Sequence, residues 1–446
     1  MSITEKLSDF VATLSLDDLP PEVLHAAKKC ILDTIGCGIA GTTTAEGLAV
    51  ISGTGRLDEG KSATIWGHGS RMSVANAALV NGVAAHALEL DDWWGNLHAG
   101  SVVIPSVMAV AELEGSTGEE ILTSVVVGYE IAARISLGGG IDTHYVRGWH
   151  PTGTCGTFGA AAATGKLLRL DKKRLSWALG LAGTYTGGIW AFLADGAMSK
   201  RLHPGKAAHS GILASYLAKQ GFTGPTKILE ADFGGFYATY VPGSYDLNCV
   251  TDNLGKNFAI LENHFKLYPS CASTHGAIEA AIELRKHFSI DEMERAIVRV
   301  SDVVEKLCGG KEIRTTLDAQ MSIPYAVSAV FLSRQASLSE YSLEAIHGKR
   351  VREIIRKVDV VGDSKTEGTT TSVEVTTKKG DSYQTTIEEP KGGPKNPLSL
   401  DEIRRKFFGL AVPVVGDAKA ESILNEVENL ENRQNVRELC GNLARS

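Results

Sequence analysis

The chain has 446 residues, 43% of them hydrophobic and 22% charged, with a formal net charge of −7 at pH 7. That is the composition of a soluble globular protein, too long for one ordinary core, so two domains are expected. No basic run suggests nucleic acid, and an anionic ligand would need a local positive field. The seven cysteines, Cys30, Cys37, Cys155, Cys249, Cys271, Cys308 and Cys440, form no C-x-x-C pair. Their odd number points to reduced thiols in a cytoplasmic compartment and away from an iron–sulfur or zinc cluster. The opening MSITEKLSDF lacks a basic n-region and an apolar h-region, so no signal peptide is expected. No apolar run is read as approaching the ~20 residues of a membrane span.

Residues 1–50 read as helices. Ser15 and Asp17-Asp18 precede Leu19-Pro20-Pro21 as a helix entry, and Val23, Leu24, Ala27, Ile31 and Ile35 then form one apolar stripe. Gly55 to Ser62 fits the phosphate-loop pattern letter for letter. That mechanism needs a strand before the loop and a helix after it. Ala45 to Val50 looks helical and Ala63 to Gly69 is short, β-leaning and broken by glycine, so the plain loop reading wins. Helices are expected over 74–90, 101–114 and 118–135, with 137–150 irregular. Gly153, Gly156 and Gly159, followed by alanines, give the next helix a smooth face that lets another backbone approach. They lack the spacing of a dinucleotide fingerprint. Two further helices fall in 172–220, then loop and short helix to 265.

After Tyr268 the pattern changes. A helix from Gly276, a strand over 297–304, a helix over 323–332, mixed helix end and strand over 351–361, and a hairpin over 369–388 describe an α+β block. Residues 391–397 read as a linker, and Ser399 caps a helix at Asp401. The expected fold is therefore mainly α: a large all-helical domain from 1–266 together with 396–446, and a smaller α+β domain over 267–395.

The stretch from Ala84 to Val110 carries the densest chemistry: Glu89, Asp91, Asp92, Trp93, Trp94 and His98 inside apolar, helical text. Charge is costly to bury there, so such a cluster marks a site. His98 follows acids that can set its tautomer, which suits an acid or base. His150 sits at a loop-to-helix junction. Lys200 and Arg201 lie just ahead of a helix N-terminus, where free N–H groups help hold a carboxylate, in a stretch with His203 that opens a helix running to Lys219. His275 stands at a helix entry, and Tyr325 near the start of a helix. No metal-ligand spacing or serine-hydrolase elbow appears, and Cys155 and Cys271 lie in no nucleophile pattern.

Five segments, ALELDDWWGNLHAGS (87–101), WHPTGTCGTFGAAAATGKLL (149–168), MSKRLHPGKAAHSGILAS (198–215), YPSCASTHGAIEAA (268–281) and DAQMSIPYAVSAVFL (318–332), resemble the MmgE/PrpD family, in the same order along nearly the whole chain. The resemblance implies a helical domain built from both chain ends, a smaller α+β lid domain, a site between them, and a homodimer. It implies a small polycarboxylate substrate, no cofactor and no metal; no nucleic acid or membrane partner is expected. Carried across, the family's catalytic residues fall on His98, His150, Lys200, His275 and Tyr325. Asp91, Asp92, Trp93, Arg201 and His203 are expected to bind substrate, with Glu89 in the same acid segment.

Known members include 2-methylcitrate dehydratase, cis-aconitate decarboxylase and iminodisuccinate epimerase. Dehydratase- and decarboxylase-like members read roughly D-F-D-D-T-x-H before the histidine that His98 matches. Here Glu89 replaces the first Asp and Trp93 the Thr, and Gln320-Met321 stand where decarboxylase-like members have Arg-His. These departures make the chain look most similar to iminodisuccinate epimerase. The activity expected is a cofactor-independent isomerase that removes and returns a proton beside a carboxylate of iminodisuccinate. The alternative is a 2-methylcitrate dehydratase-like or cis-aconitate decarboxylase-like lyase on a tricarboxylate. Lys200, helped by Arg201, is expected to hold carboxylate, with His98 and His275 as the acid–base pair and Tyr325 or His150 completing it. A non-catalytic carboxylate binder would have lost this set, and all of it is present.

Overall fold

A computed structural model describes residues 1–140, 144 and 146–445. Part of the stretch read as irregular, 141–143 and 145, lies outside the described residues. The chain is mainly α with only small sheets, as its apolar spacing predicts. It divides into two compact units: Met1–Ala191, Ser199–Phe265 and Leu398–Ser446 form the first, Phe192–Met198 and Lys266–Pro397 the second.

Apart from a two-residue ribbon, Ala63–Thr64 paired with Arg71–Met72, the regular structure described in the first unit is helical. Helices begin where the sequence offers reciprocal caps. Thr117 Oγ1 accepts from Glu120 N at 3.3 Å while the Glu120 carboxylate accepts from Thr117 N at 3.0 Å. Ser399 and Glu402 repeat the pattern at the start of Leu400–Val415. Gly118–Gly138 corrects one expectation: it is long and apolar enough, by length and composition, to cross a membrane. It is instead a core helix, 94% buried over its apolar window, with Glu130 and Arg134 paired at 2.5 Å.

The phosphate-loop lookalike is a loop. Gly55 ends the Ala45–Gly55 helix, so no strand precedes it. Asp58 fills the turn, accepting from Gly60 N at 2.6 Å, Ser73 N at 2.9 Å and Asn76 Nδ2 at 2.9 Å.

One helix crossing positions the chemistry. A Cβ on Gly82 would lie 2.8 Å from the Cα of Gly205, and a Cβ on Gly205 would lie 2.3 Å from the Leu79 carbonyl oxygen. The Val74–Ala87 and Ser199–Lys219 helices therefore meet backbone to backbone, which only glycine permits. The crossing sets the end of one helix, carrying His86, beside the start of the other, carrying Lys200, Arg201 and His203. The smooth face of Pro151–Leu167 packs against Gly118–Gly138 and Ser199–Lys219.

The second unit holds a four-stranded sheet in the order Val358–Gly362, Met293–Val300, Thr371–Thr377, Ser382–Ile387. The first pair is parallel and the other two antiparallel. The strand expected over 297–304 is shifted: it ends at Val300 because Ser301 is the N-cap of a helix, Asp302–Cys308, with acids in its first turn. The His275–Leu284 helix packs on the hairpin strands and begins at His275 itself; Thr274 makes no side-chain cap.

Gly205→Ala places a methyl against the Leu79 carbonyl oxygen. It should lower stability by at least ~2 kcal/mol, an overpacking cost, seen as a lower thermal midpoint of the first unit by circular dichroism. An unchanged midpoint would show that the crossing relaxes freely.

Candidate functional site

The acid loop begins where Val74–Ala87 stops. Glu89 lies in the left-handed region at φ 54° and is fully buried. A non-glycine residue held there needs strong anchors. Its carboxylate has them, in salt bridges to both Lys200 and Arg201. Further along, Trp93 and His264 exchange backbone hydrogen bonds at 2.9 and 2.8 Å, with their rings 4.1 Å apart. Trp94 and Leu97 close a tight turn in the same way. The loop is thus pinned at three points before His98.

Between the pins, Asp91 and Asp92 face different partners. Asp92 accepts from Gly100 N at 3.0 Å, Tyr129 Oη at 2.5 Å and Asn263 Nδ2 at 2.7 Å. A Cβ on Gly100 would lie 2.3 Å from Asp92 Oδ1, so glycine is needed for that approach. Asp91 accepts from His86 Nδ1 at 2.9 and 3.0 Å, and its Oδ2 lies 3.3 Å from His98 Nδ1. The nearby cations are engaged by other acids. Glu89 has Lys200 and Arg201, and buried Asp33 has Lys406 at 2.5 Å. Burial, with Asp33 nearby, pushes the Asp92 carboxyl up to about 7. For Asp91 burial acts the same way, but His86 and His98 outweigh it and hold the carboxyl well below the usual carboxylate range. Two adjacent acids with opposite shifts are a common sign of divided roles.

The imidazoles form a group in the first unit. The His86 and His98 rings are 4.5 Å apart, and His150 lies 6.2 and 6.3 Å from them. His150 Nδ1 and His203 Nδ1 share a hydrogen bond of 2.9 Å. His98 Nδ1 faces two acceptors, Asp91 Oδ2 and the Asp92 carbonyl oxygen at 3.0 Å. That nitrogen therefore carries the proton, which leaves Nε2 as the basic nitrogen of the neutral ring. Burial holds His86 down to about 3 and, reinforced by Lys200, His203 to about 4; His150 is held well below its ordinary value by burial and by His203. The set is suited to moving protons between neutral rings and one fixed carboxylate.

Of the residues expected from sequence, His98, His150, Lys200, Arg201, His203, Asp91, Asp92 and Trp93 all lie in the first unit. His275 and Tyr325 lie in the second. His275 donates through Nε2 to the Tyr268 carbonyl oxygen at 3.1 Å. Tyr325 is buried, and its hydroxyl donates to the Glu340 carbonyl oxygen. Lys200 and Arg201 do not stand ahead of the helix, as expected; it begins at Ser199, and the carboxylate they meet is the chain's own Glu89. Sequence reasoning missed His86, Tyr129, Asn263, Asp33 and Lys406. His86 had a signal, since it falls one helical turn before Glu89; the others are distant in sequence and had none. His86, Asp91 and His98 offer ligand atoms within 4.8 Å of one another, a spacing that also admits a metal ion.

Residues 5–248 match the MmgE/PrpD N-terminal domain, and residues 268–432 match the MmgE/PrpD C-terminal domain. The chain is 30% identical to the cis-aconitate decarboxylase-like protein oryM of Aspergillus oryzae, over 98% of this chain and 96% of that one. It is 30% identical to the cis-aconitate decarboxylase of Homo sapiens, and 28% identical to that of Aspergillus terreus, in each case over 96% of this chain and 92% of the relative. These relatives overturn the expectation of an isomerase, because decarboxylases are lyases. Glu89, Gln320 and Met321, among the departures behind that expectation, are buried, with Glu89 engaged by its own cations. Proton transfer beside a carboxylate is common to both reaction classes, so the acid–base residues alone did not separate them.

Two outcomes follow for stability. Tyr129→Phe removes one donor from buried Asp92 and should cost about 1–3 kcal/mol, measured by urea unfolding. The second concerns pH. His203 and His144 are held near 4, and His150 well below its ordinary value, whereas unfolded histidine titrates near 6.5. The unfolded chain therefore binds more protons below about 6.5, and this stabilisation, complete above that pH, is lost as pH falls toward about 4. Asp92 acts in the opposite sense over the same window, and so do Asp33, Glu130 and Glu279, whose carboxyls burial also raises. The thermal midpoint should fall between pH 7 and pH 4.5; a rise would mean that these buried acids outweigh the histidines.

Proposed function

The chain belongs to the MmgE/PrpD family, and on that footing we propose that it is a lyase acting on a tricarboxylate, of the cis-aconitate decarboxylase kind. The observation that carries this reading is His98, its tautomer fixed by Asp91 and the Asp92 carbonyl oxygen, in a chain whose near-full-length relatives include cis-aconitate decarboxylases. In such a reaction the bond to one carboxylate breaks and carbon dioxide leaves. The electron pair stays on the substrate and is delocalised toward a double bond and a remaining carboxylate. A proton then quenches it. His98 is the group we assign to deliver that proton from Nε2, with the negative charge of Asp91 compensating the ring while it carries two protons. His150, paired with His203, would restore the proton. Lys200 and Arg201, of which Glu89 neutralises one charge, supply positive field for the substrate's carboxylates. His275 and Tyr325 belong to the same proposal as further substrate-facing groups, as do a homodimeric assembly and a cytoplasmic location.

Purified protein with cis-aconitate in D2O should release carbon dioxide and give a deuterated unsaturated dicarboxylate, followed by NMR. Turnover of 2-methylcitrate to an unsaturated tricarboxylate instead would move the assignment to the dehydratase kind, and no turnover of either would end the lyase reading. His98→Ala should reduce kcat by at least ~100-fold, the contribution of a general acid or base; a near-normal rate would remove His98 from the chemistry.

A further inference from the structure

His86 is fully buried and makes hydrogen bonds of 2.9 and 3.0 Å to the two oxygens of Asp91. A carboxylate only accepts, so Nδ1 is the donor nitrogen. Its other nitrogen, Nε2, lies 3.6 Å from Glu89 Oε1 and has no hydrogen-bond partner among the described residues. One imidazole thus stands between two carboxylates, one clamped by Lys200 and Arg201 and the other facing His98. The ring of His86 also lies 4.5 Å from that of His98, tilted by 58°. Burying a polar ring with one nitrogen unsatisfied carries a cost that an apolar side chain at the end of this helix would avoid.

We infer that His86 is a positioning residue: its Nδ1–H fixes the Asp91 carboxylate, and through Asp91 it fixes the tautomer and ring orientation of His98. The geometry leaves Asp91 few other anchors. Oδ1 meets His86, and Oδ2 is shared by His86 and His98. Without His86 the carboxylate loses the donor that reaches both of its oxygens, and His98 Nδ1 is left with the Asp92 carbonyl oxygen and an Asp91 that only His98 itself holds. The backbone-to-backbone crossing of Gly82 and Gly205 holds the helix end that presents His86. The kinetic consequence rests on the lyase reading; the structural one does not.

The test uses the shape of the imidazole. The amide nitrogen of asparagine falls where Nδ1 sits, and that of glutamine falls where Nε2 sits. His86→Asn should keep kcat within ~10-fold of wild type, whereas His86→Gln and His86→Phe should lose roughly 100-fold, the share of a general acid or base. KM should change by less than about 3-fold in all three, since His86 does not touch substrate in this assignment. Independently of turnover, 15N-histidine NMR should show His98 as the Nδ1–H tautomer in wild type and His86→Asn, and as a mixture in His86→Gln. Asparagine and glutamine variants that behave alike, or a His98 tautomer unchanged in His86→Gln, would overturn the inference. If wild type turns over no tricarboxylate while the tautomers shift as stated, the lyase reading fails and the positioning role stands. Circular dichroism on each variant separates a folding defect from either result.

Discussion

Everything in the candidate site depends on how Asp92 is held. Three donors from three separate segments, Gly100 N–H, the Tyr129 hydroxyl and the Asn263 amide, converge on one buried carboxylate. A buried carboxylate so satisfied resists displacement, because any other orientation leaves donors and acceptor unpaired. Asp92 is therefore committed, and its neighbour Asp91 meets the imidazoles of His86 and His98. One acid fixes the loop and the next orients the imidazoles.

The charges around that loop obey the same economy of partners. Cations go to Glu89 and Asp33, so Asp91 and Asp92 depend on neutral donors and imidazoles. A buried pair or triad of this kind is weak evidence for stability, since desolvation offsets most of the attraction. Its value lies in geometry: Glu89 is held at a positive φ, and Lys406 also donates to the Leu90 carbonyl oxygen at 2.5 Å, tying the loop to a helix from the far end of the sequence.

Much of this was legible in the chain. The helices over 101–114 and 323–332, the hairpin over 369–388 and the cap at Ser399 follow from local periodicity and local side-chain acceptors, which act over a few residues. The density of Glu89, Asp91, Asp92 and His98 marked the loop. Which acid meets which partner was not legible, because Tyr129, Asn263 and Lys406 reach it across the fold. The placement of Lys200 and Arg201 failed for the same reason: a helix start can be read to within a residue or two, and here that residue decides whether a side chain precedes the helix or belongs to its first turn. The reaction class was misread because residues that move protons do not announce which bond breaks.

The pairing of Asp33 with Lys406 bears on how the protein is made. The two residues are neighbours in space, yet the whole second unit is translated between them. During synthesis the N-terminal helices emerge with a buried aspartate that has no cation and a Leu90 carbonyl that lacks its lysine. Contacts of such long sequence separation form late. A ribosome-bound chain stopped short of residue 406 is thus left with an unfinished acid loop, and the loop is completed only once the Leu400–Val415 helix has been released.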